Sequence, residues 1–310
     1  MTESAVLTLD HYPENGCAVF GPILDPAECV RLRERLRRER PLNASMFYET
    51  EDAFERHGRW HRYAPGPGHN ILEAMSNGEL DFVERNPAFV DAATRLVGPG
   101  YAIMKKSVIR SVPSSMLPRW LYDKVVHVGR SNLNPFIRDD FQDIQYFHAT
   151  DFHQDKTRPK SDFVTVYVYL DNVEPHCSAL QILVGSHKLG MTPYPHSLRH
   201  SYVDKQLWHY SDGPSHLQTR QATFVGPTGT VSCFHGLTLH GTNLNMTSDP
   251  RISLRYLLTY GDSFSGDCLQ RQANALVTGP LAIEVPRYDV DKEGRLLPIG
   301  SSLLAWGYDR

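Results

Sequence analysis

The tripeptide His153-Gln154-Asp155 sets an imidazole and a carboxylate two residues apart, at the mouth of the β-branched and aromatic run "DFVTVYVYL". Side chains alternate along an extended chain, so positions i and i+2 emerge on one side and can share a metal ion. Taken alone the pattern is weak, because short His-x-Asp matches arise by chance on surface loops. Further along, "GTVSCFHGLTLHGTNLNMTSDPRISLRY" adds two histidines, His235 and His240, and then Arg251 and Arg255 on a following strand. Two histidines and one carboxylate on one face, with positions left open, form the ligand set of non-haem Fe(II) oxygenases. A guanidinium close to such a set can grip a dicarboxylate cosubstrate through a two-pronged, charge-assisted hydrogen bond.

These groups need strands to carry them. Beyond residue 100, "YAIMKKSVIRSV", "DFVTVYVYL", "ALQILVGS", "TVSCF" and "RISLRYLLTY" are short, rich in β-branched and aromatic residues, and bounded by Gly, Pro, Asp or Ser. Several such runs without intervening helical patterns favour a sandwich or jelly roll over a βαβ sheet. Earlier, "LDPAECVRLRERLRRER" reads as a helix: Asp25 caps it, Pro26 opens it, and Glu28 completes a capping-box pattern. Cys29, Leu32 and Leu36 share one face of that helix. "NPAFVDAATRLVG" reads as another, capped by Asn86 and ended by Gly98. The expected fold class is therefore mainly β with flanking helices, a double-stranded β-helix (jelly roll, cupin-like) core. One domain is expected over 1–310: a mainly helical N-terminal layer over 1–100, the core over 101–265 with an insertion at 113–150, and a tail over 266–310.

Composition narrows the chemistry. The chain has 310 residues and a formal net charge of -3, which lacks the basic excess that recruits nucleic acid. Five cysteines are scattered and never spaced as C-x-x-C, against a disulfide framework or a structural zinc site. The N-terminus shows no basic start followed by an apolar run, and no long apolar window occurs, so a soluble, cytoplasmic protein without membrane partners is expected. The pair His57 and His61 has helical i, i+4 spacing, but Gly58 and the neighbouring arginines make a surface turn the simpler reading.

The sequence resembles the phytanoyl-CoA dioxygenase family of Fe(II)/2-oxoglutarate-dependent oxygenases. The resemblance lies in "HQD", in "DFVTVYVYLDNVEPHCSALQILVGSHK", in "HGLTLHGTNLNMTSDPR" and, more faintly, in "HYPENGCAVFGPILDPAECVRLRERL". It implies a jelly-roll core, with His153, Asp155 and His240 as metal ligands and His235 as a bystander. Thr242 and Arg251, two and eleven positions after His240, would bind the distal carboxylate of 2-oxoglutarate. Tyr167 stands where the family often places an aromatic residue near the cosubstrate. Ser107 is a further candidate cosubstrate contact, and with Lys105 a candidate for holding the substrate. Gly185, Ser186, His187 and Lys188 match the family's "GSHK", a turn at the barrel mouth.

Two stretches depart from the family. "HCSAL" replaces its usual Asn-Gly turn, so His176 can face something new. About forty residues separate "SVIRSVP" from the His-x-Asp, and such long connections commonly serve as lids or binding loops. The implied cofactors are Fe(II), 2-oxoglutarate and O2, the implied reaction oxidation of an unactivated C–H in a small-to-medium organic molecule. Hydroxylation is the default; desaturation, cyclisation and epimerisation stay open. A medium-sized secondary metabolite is the substrate the mixed aromatic and polar insertion favours, and the presence of Asp155 argues against halogenation. A zinc-dependent metalloenzyme and a non-catalytic ligand-binding jelly roll are the alternatives, and 2-oxoglutarate binding separates them from the oxygenase. Oligomeric state is not legible.

Overall fold

The computed structural model describes residues 7–58, 65, 68–75, 78–126, 130–155, 162–193, 196–280, 286–290 and 296–301. His61 lies outside them. Within them, one large sheet is built from β1 (Cys17–Pro22), β2 (Ala102–Ser111), β3 (Arg130–Asn132), β4 (Gln145–His153), β5 (Val164–Tyr169), β6 (Leu180–Leu183), β7 (Leu198–His200), β8 (Leu207–Asp212), β9 (Ser215–Phe224), β10 (Thr230–His235), β11 (His240–Thr242) and β12 (Arg251–Thr259). Their order is β1-β10-β5-β12-β2-β4-β11-β6-β9-β8-β7, with β3 paired to β4. The β2–β4 pairing is parallel, and the other ladders of this sheet are antiparallel. This is the jelly-roll core flanked by helices.

Strict alternation sorts two cores. Val164, Val166 and Val168 of β5 and Ile252, Leu254, Tyr256 and Leu258 of β12 face outward onto the helical layer, where they join Leu32, Leu36, Phe89 and Leu96. Burying a side chain of that size contributes roughly 1.5–3 kcal/mol, so this face supplies much of the driving force for folding. The opposite face of the same strands presents Thr165, Tyr167, Tyr169, Arg251, Ser253 and Arg255 to the barrel interior, all buried. A smaller apolar cluster there joins Tyr167 to Ile109, Ile182, Phe224 and Phe234.

Helix Pro26–Glu39 starts as expected, with the Asp25 carboxylate accepting from Ala27 N at 2.8 Å. Glu28 pairs forward with Arg31 rather than back to the cap. Asn86 caps helix Pro87–Val97 by accepting from Ala88 N and Phe89 N, and Gly98 follows with φ of 93°.

Several elements differ from the sequence expectation. The N-terminal layer contributes strand β1, which pairs with β10 at the sheet edge. The β7–β9 meander lies outside the strands expected from the sequence; its Leu198, Trp208, Tyr210 and Leu217 pack with Phe152, Leu183 and Leu239 in a separate cluster. The stretch expected as an insertion over 113–150 holds helix Arg119–Val125, strand β3 and the start of β4. Its Leu117, Leu121, Leu133, Phe136, Ile137 and Ile144 sit in the main core, which anchors it far more firmly than a free flap. In the tail, helix Leu269–Ala275 is followed by a hairpin of Pro286–Val290 and Leu296–Ser301.

Candidate active site

His153 is the last residue of β4 and Asp155 lies two beyond it, so the pair closes that strand instead of opening β5. The convergence expected from strand alternation is achieved by the residue between them. Gln154 is buried; its amide donates to Gly190 O at 2.8 Å and Leu237 O at 2.7 Å and accepts from Thr192 N at 2.9 Å. With the middle side chain pinned into the protein, its two neighbours turn to the barrel mouth. Gln154 is thus a supporting residue that the sequence reading passed over; its signal was a polar residue with no obvious solvent role inside the motif.

His240 opens β11 and is the antiparallel register partner of His153. One potential ligand atom from each of His153, Asp155 and His240 lies within 4.8 Å of the others, the one such metal-capable group among the described residues. Each imidazole is oriented by a backbone carbonyl. His153 Nδ1 faces Asp151 O at 2.8 Å and His240 Nδ1 faces Thr238 O at 3.0 Å. A carbonyl only accepts, so each Nδ1 is the donor and each Nε2 is left to face the site. His240 Nε2 is 3.7 Å from Asp155 Oδ1. Burial works against the Asp155 charge, but Arg255, His240, His153 and a hydrogen bond from Thr165 outweigh it and hold the carboxyl well below the usual carboxylate range. Two imidazoles and a carboxylate on one face are the donor set that suits Fe(II).

His235 does not share this face. Its Nδ1 accepts from Leu237 N and its Nε2 meets Asn274 Oδ1 at 2.8 Å, so both nitrogens are engaged in the fold. His187 likewise ties the "GSHK" turn to the N-terminus through Pro13 O, beneath Gly185 at φ of 73°. His176 faces Glu174, 3.6 Å away at the surface. Ser178, in the departing "HCSAL" turn, takes φ of 57°, the left-handed conformation a glycine would adopt without strain.

Deeper in the barrel, Arg251 is buried under Tyr169, its guanidinium carbon 5.6 Å from the ring centroid, and donates to Ser253. Its Nε and the hydroxyls of Ser107, Ser111 and Ser232 are buried without a hydrogen-bond partner. Ser111 is the register partner of Arg251, Ser107 of Arg255, and Ser232 of Tyr167. Orphaned polar atoms of this kind are costly unless a ligand satisfies them, and an elongated dicarboxylate fits. Tyr167 stacks on Phe234 with ring centroids 5.9 Å apart, and burial pushes its phenol to about 12, which keeps it neutral. The Thr242 hydroxyl bonds to Thr150 across the β11–β4 ladder. Lys105 lines the mouth; burial and then Arg255 lower its ammonium to about 8, against the opposing charges of Glu73 and Asp155.

A family model described as phytanoyl-CoA dioxygenase matches residues 12–253. Ectoine dioxygenase of Stutzerimonas stutzeri (strain A1501) is 26% identical over 249 residues, covering 71% of this chain and 79% of that protein. The solved structure of the epimerase SnoN in complex with Fe3+, alpha ketoglutarate and nogalamycin RO shares the fold, with a TM-score of 0.50 and 16% identity over 81% of this chain and 82% of that one. The chain belongs to the phytanoyl-CoA dioxygenase family. It is an Fe(II)- and 2-oxoglutarate-dependent dioxygenase that uses O2. Among the described residues, no helix is long and apolar enough to cross a membrane.

Proposed function

We propose that this dioxygenase hydroxylates an unactivated C–H of a small-to-medium organic substrate, with His153, Asp155 and His240 holding the iron and Arg251 holding the distal carboxylate of 2-oxoglutarate. The observation that carries the reading is the meeting of three ligand atoms within 4.8 Å at the mouth of a barrel whose interior holds a buried arginine. Bound Fe(II) supplies the oxidising chemistry, in which O2 converts 2-oxoglutarate to succinate and CO2 and oxidises the substrate C–H. The chain's own residues do the rest. The carbonyls of Asp151 and Thr238 hold both imidazoles aimed, with Nε2 toward the site. Arg251 and the Ser111 hydroxyl across the ladder receive the far carboxylate, while Ser107, Ser232 and Tyr167 line its path. Phe234 packs against the His240 ring, with centroids 4.2 Å apart, and keeps water from that side. The similarity to an ectoine dioxygenase supports a small-molecule substrate; a role in secondary metabolism is proposed beside it from the mixed aromatic and polar residues of the 113–150 stretch.

The experiment is an anaerobic visible spectrum as Fe(II) and then 2-oxoglutarate are added. A metal-to-ligand charge-transfer band that needs both additions, and is lost in Asp155→Ala, supports the assignment. Tight zinc with no band and no 2-oxoglutarate binding overturns it in favour of a hydrolytic metalloenzyme.

A further inference from the structure

Asp155 is held asymmetrically. Its Oδ2 accepts from Arg255 Nη2 at 2.8 Å and from Thr165 Oγ1 at 2.8 Å, whereas its Oδ1 lies toward the imidazoles, 3.7 Å from His240 Nε2. We propose that Arg255, together with Thr165, is a positioning residue for the iron-binding carboxylate, fixing its outer oxygen so that Oδ1 alone is offered to the metal. The inference rests on His153, Asp155 and His240 being the ligands.

A carboxylate presents two equivalent oxygens and can turn about its Cβ–Cγ bond. Were both to reach the iron, they would occupy a position that the cosubstrates need, because the 2-His-1-carboxylate set works by leaving positions open. A charge-assisted bond from a guanidinium and a second bond from a hydroxyl take up the outer oxygen's lone pairs and oppose that rotation. Both donors come from rigid, buried structure. Arg255 sits on β12 and Thr165 on the adjoining β5, where Thr165 pairs with Leu257, one inward-facing position along from Arg255. The side chains of Arg255 and Asp155 are 9% and 10% exposed, so water scarcely competes for the bond.

The same geometry divides labour between two arginines that share one face of β12. Arg251 reaches Ser253 and Tyr169 in the depth of the barrel, and Arg255 reaches Asp155 at its mouth. Electrostatics and orientation oppose one another at Arg255. Removing a cation beside the site favours a divalent ion, whereas freeing the carboxylate disfavours it. Orientation is the stronger effect if partners of metal ligands behave as they usually do, their loss costing about 10–100-fold in metal affinity.

The test is anaerobic Fe(II) titration of the full-length protein, with the 2-oxoglutarate charge-transfer band as second readout, in Arg255→Gln, Arg255→Lys, Thr165→Val and Asp155→Ala. Expected are a loss of Fe(II) affinity of about 10–100-fold in Arg255→Gln, partial rescue in Arg255→Lys, and a loss of about tenfold in Thr165→Val, which changes no charge. Unchanged or tighter Fe(II) binding with an unshifted band in Arg255→Gln overturns the proposal. Should Arg255→Gln fail to fold, as its melting curve would reveal, Thr165→Val decides on the same criterion. Asp155→Ala separates the two levels. If it binds Fe(II) as wild type does, the ligand assignment itself is wrong; if it loses Fe(II) while the Arg255 and Thr165 variants do not, only the positioning role falls.

Discussion

His153 and His240 face one another on a single antiparallel rung of the β4–β11 ladder, and their rings stand 4.2 Å apart. The site therefore straddles two neighbouring strands whose backbone hydrogen bonds set its width. Two residues 87 positions apart in sequence become as close as a designed pair because a sheet fixes cross-strand distance far better than a loop does.

The two histidines of "HGLTLH" are expected to behave differently. His240→Ala should abolish Fe(II) binding in an anaerobic titration while leaving the fold intact. His235→Ala should still bind Fe(II) but melt earlier, because it strips Leu237 N and Asn274 of their partner. Equal Fe(II) loss in both would contradict the placement of His240 alone at the metal.

Arg251→Ala should weaken 2-oxoglutarate binding at least about 100-fold without comparable loss of Fe(II), since a bidentate charged contact and its desolvated pocket vanish together. Titration of the charge-transfer band reads both affinities. Arg251→Lys is expected to recover only part, for an ammonium lacks the planar fork.

Gln154→Ala leaves two carbonyls and one N–H short of partners in a buried place. A destabilisation of about 3 kcal/mol is expected from that loss. Because Gln154 also turns His153 and Asp155 to the mouth, Fe(II) affinity should fall with it. Urea denaturation of the apoprotein and Fe(II) titration measure the two effects separately.

His187 supplies a pH signature. Burial, then the charge repulsion of His235, depress its imidazole to about 3, against an ordinary value near 6.5. The folded protein keeps it neutral while the unfolded chain protonates below about pH 6.5, so its contribution is complete above that pH and is lost as pH falls toward 3. The slope is at most about 1.4 kcal/mol per pH unit. Denaturation curves at pH 7 and pH 5 should converge in His187→Gln, whose amide can still donate to Pro13 O; an unchanged pH dependence would refute this.

Ser178 carries left-handed backbone strain without the freedom of glycine. Ser178→Gly should raise stability by about 1 kcal/mol in thermal melts, the relief of αL strain exceeding the added entropy of the unfolded chain. No gain would mean that the buried hydroxyl has an unseen polar partner.

What the sequence by itself determined is local or periodic. Alternation in "DFVTVYVYL" and "RISLRYLLTY" sorts their side chains into two opposite faces, with Arg251 and Arg255 on the same one, because neighbours on a strand point to opposite sides. Asp25 and Asn86 marked helix starts for an equally local reason. The resemblance to the phytanoyl-CoA dioxygenase family nominated His153, Asp155, His240 and Arg251, since residue types alone leave His235 and Arg255 open beside them. Tertiary structure decided the rest. That Gln154 steers the motif, that His235 turns to Asn274, that Thr242 is engaged with Thr150, and that Arg255 meets Asp155 while Arg251 lies deeper all depend on which strands adjoin. So does the anchoring of the stretch between residues 113 and 144, whose apolar residues have no regular period yet find a common core. Strand adjacency is a long-range property: it follows from how the whole sheet closes, and no short window of residues contains it.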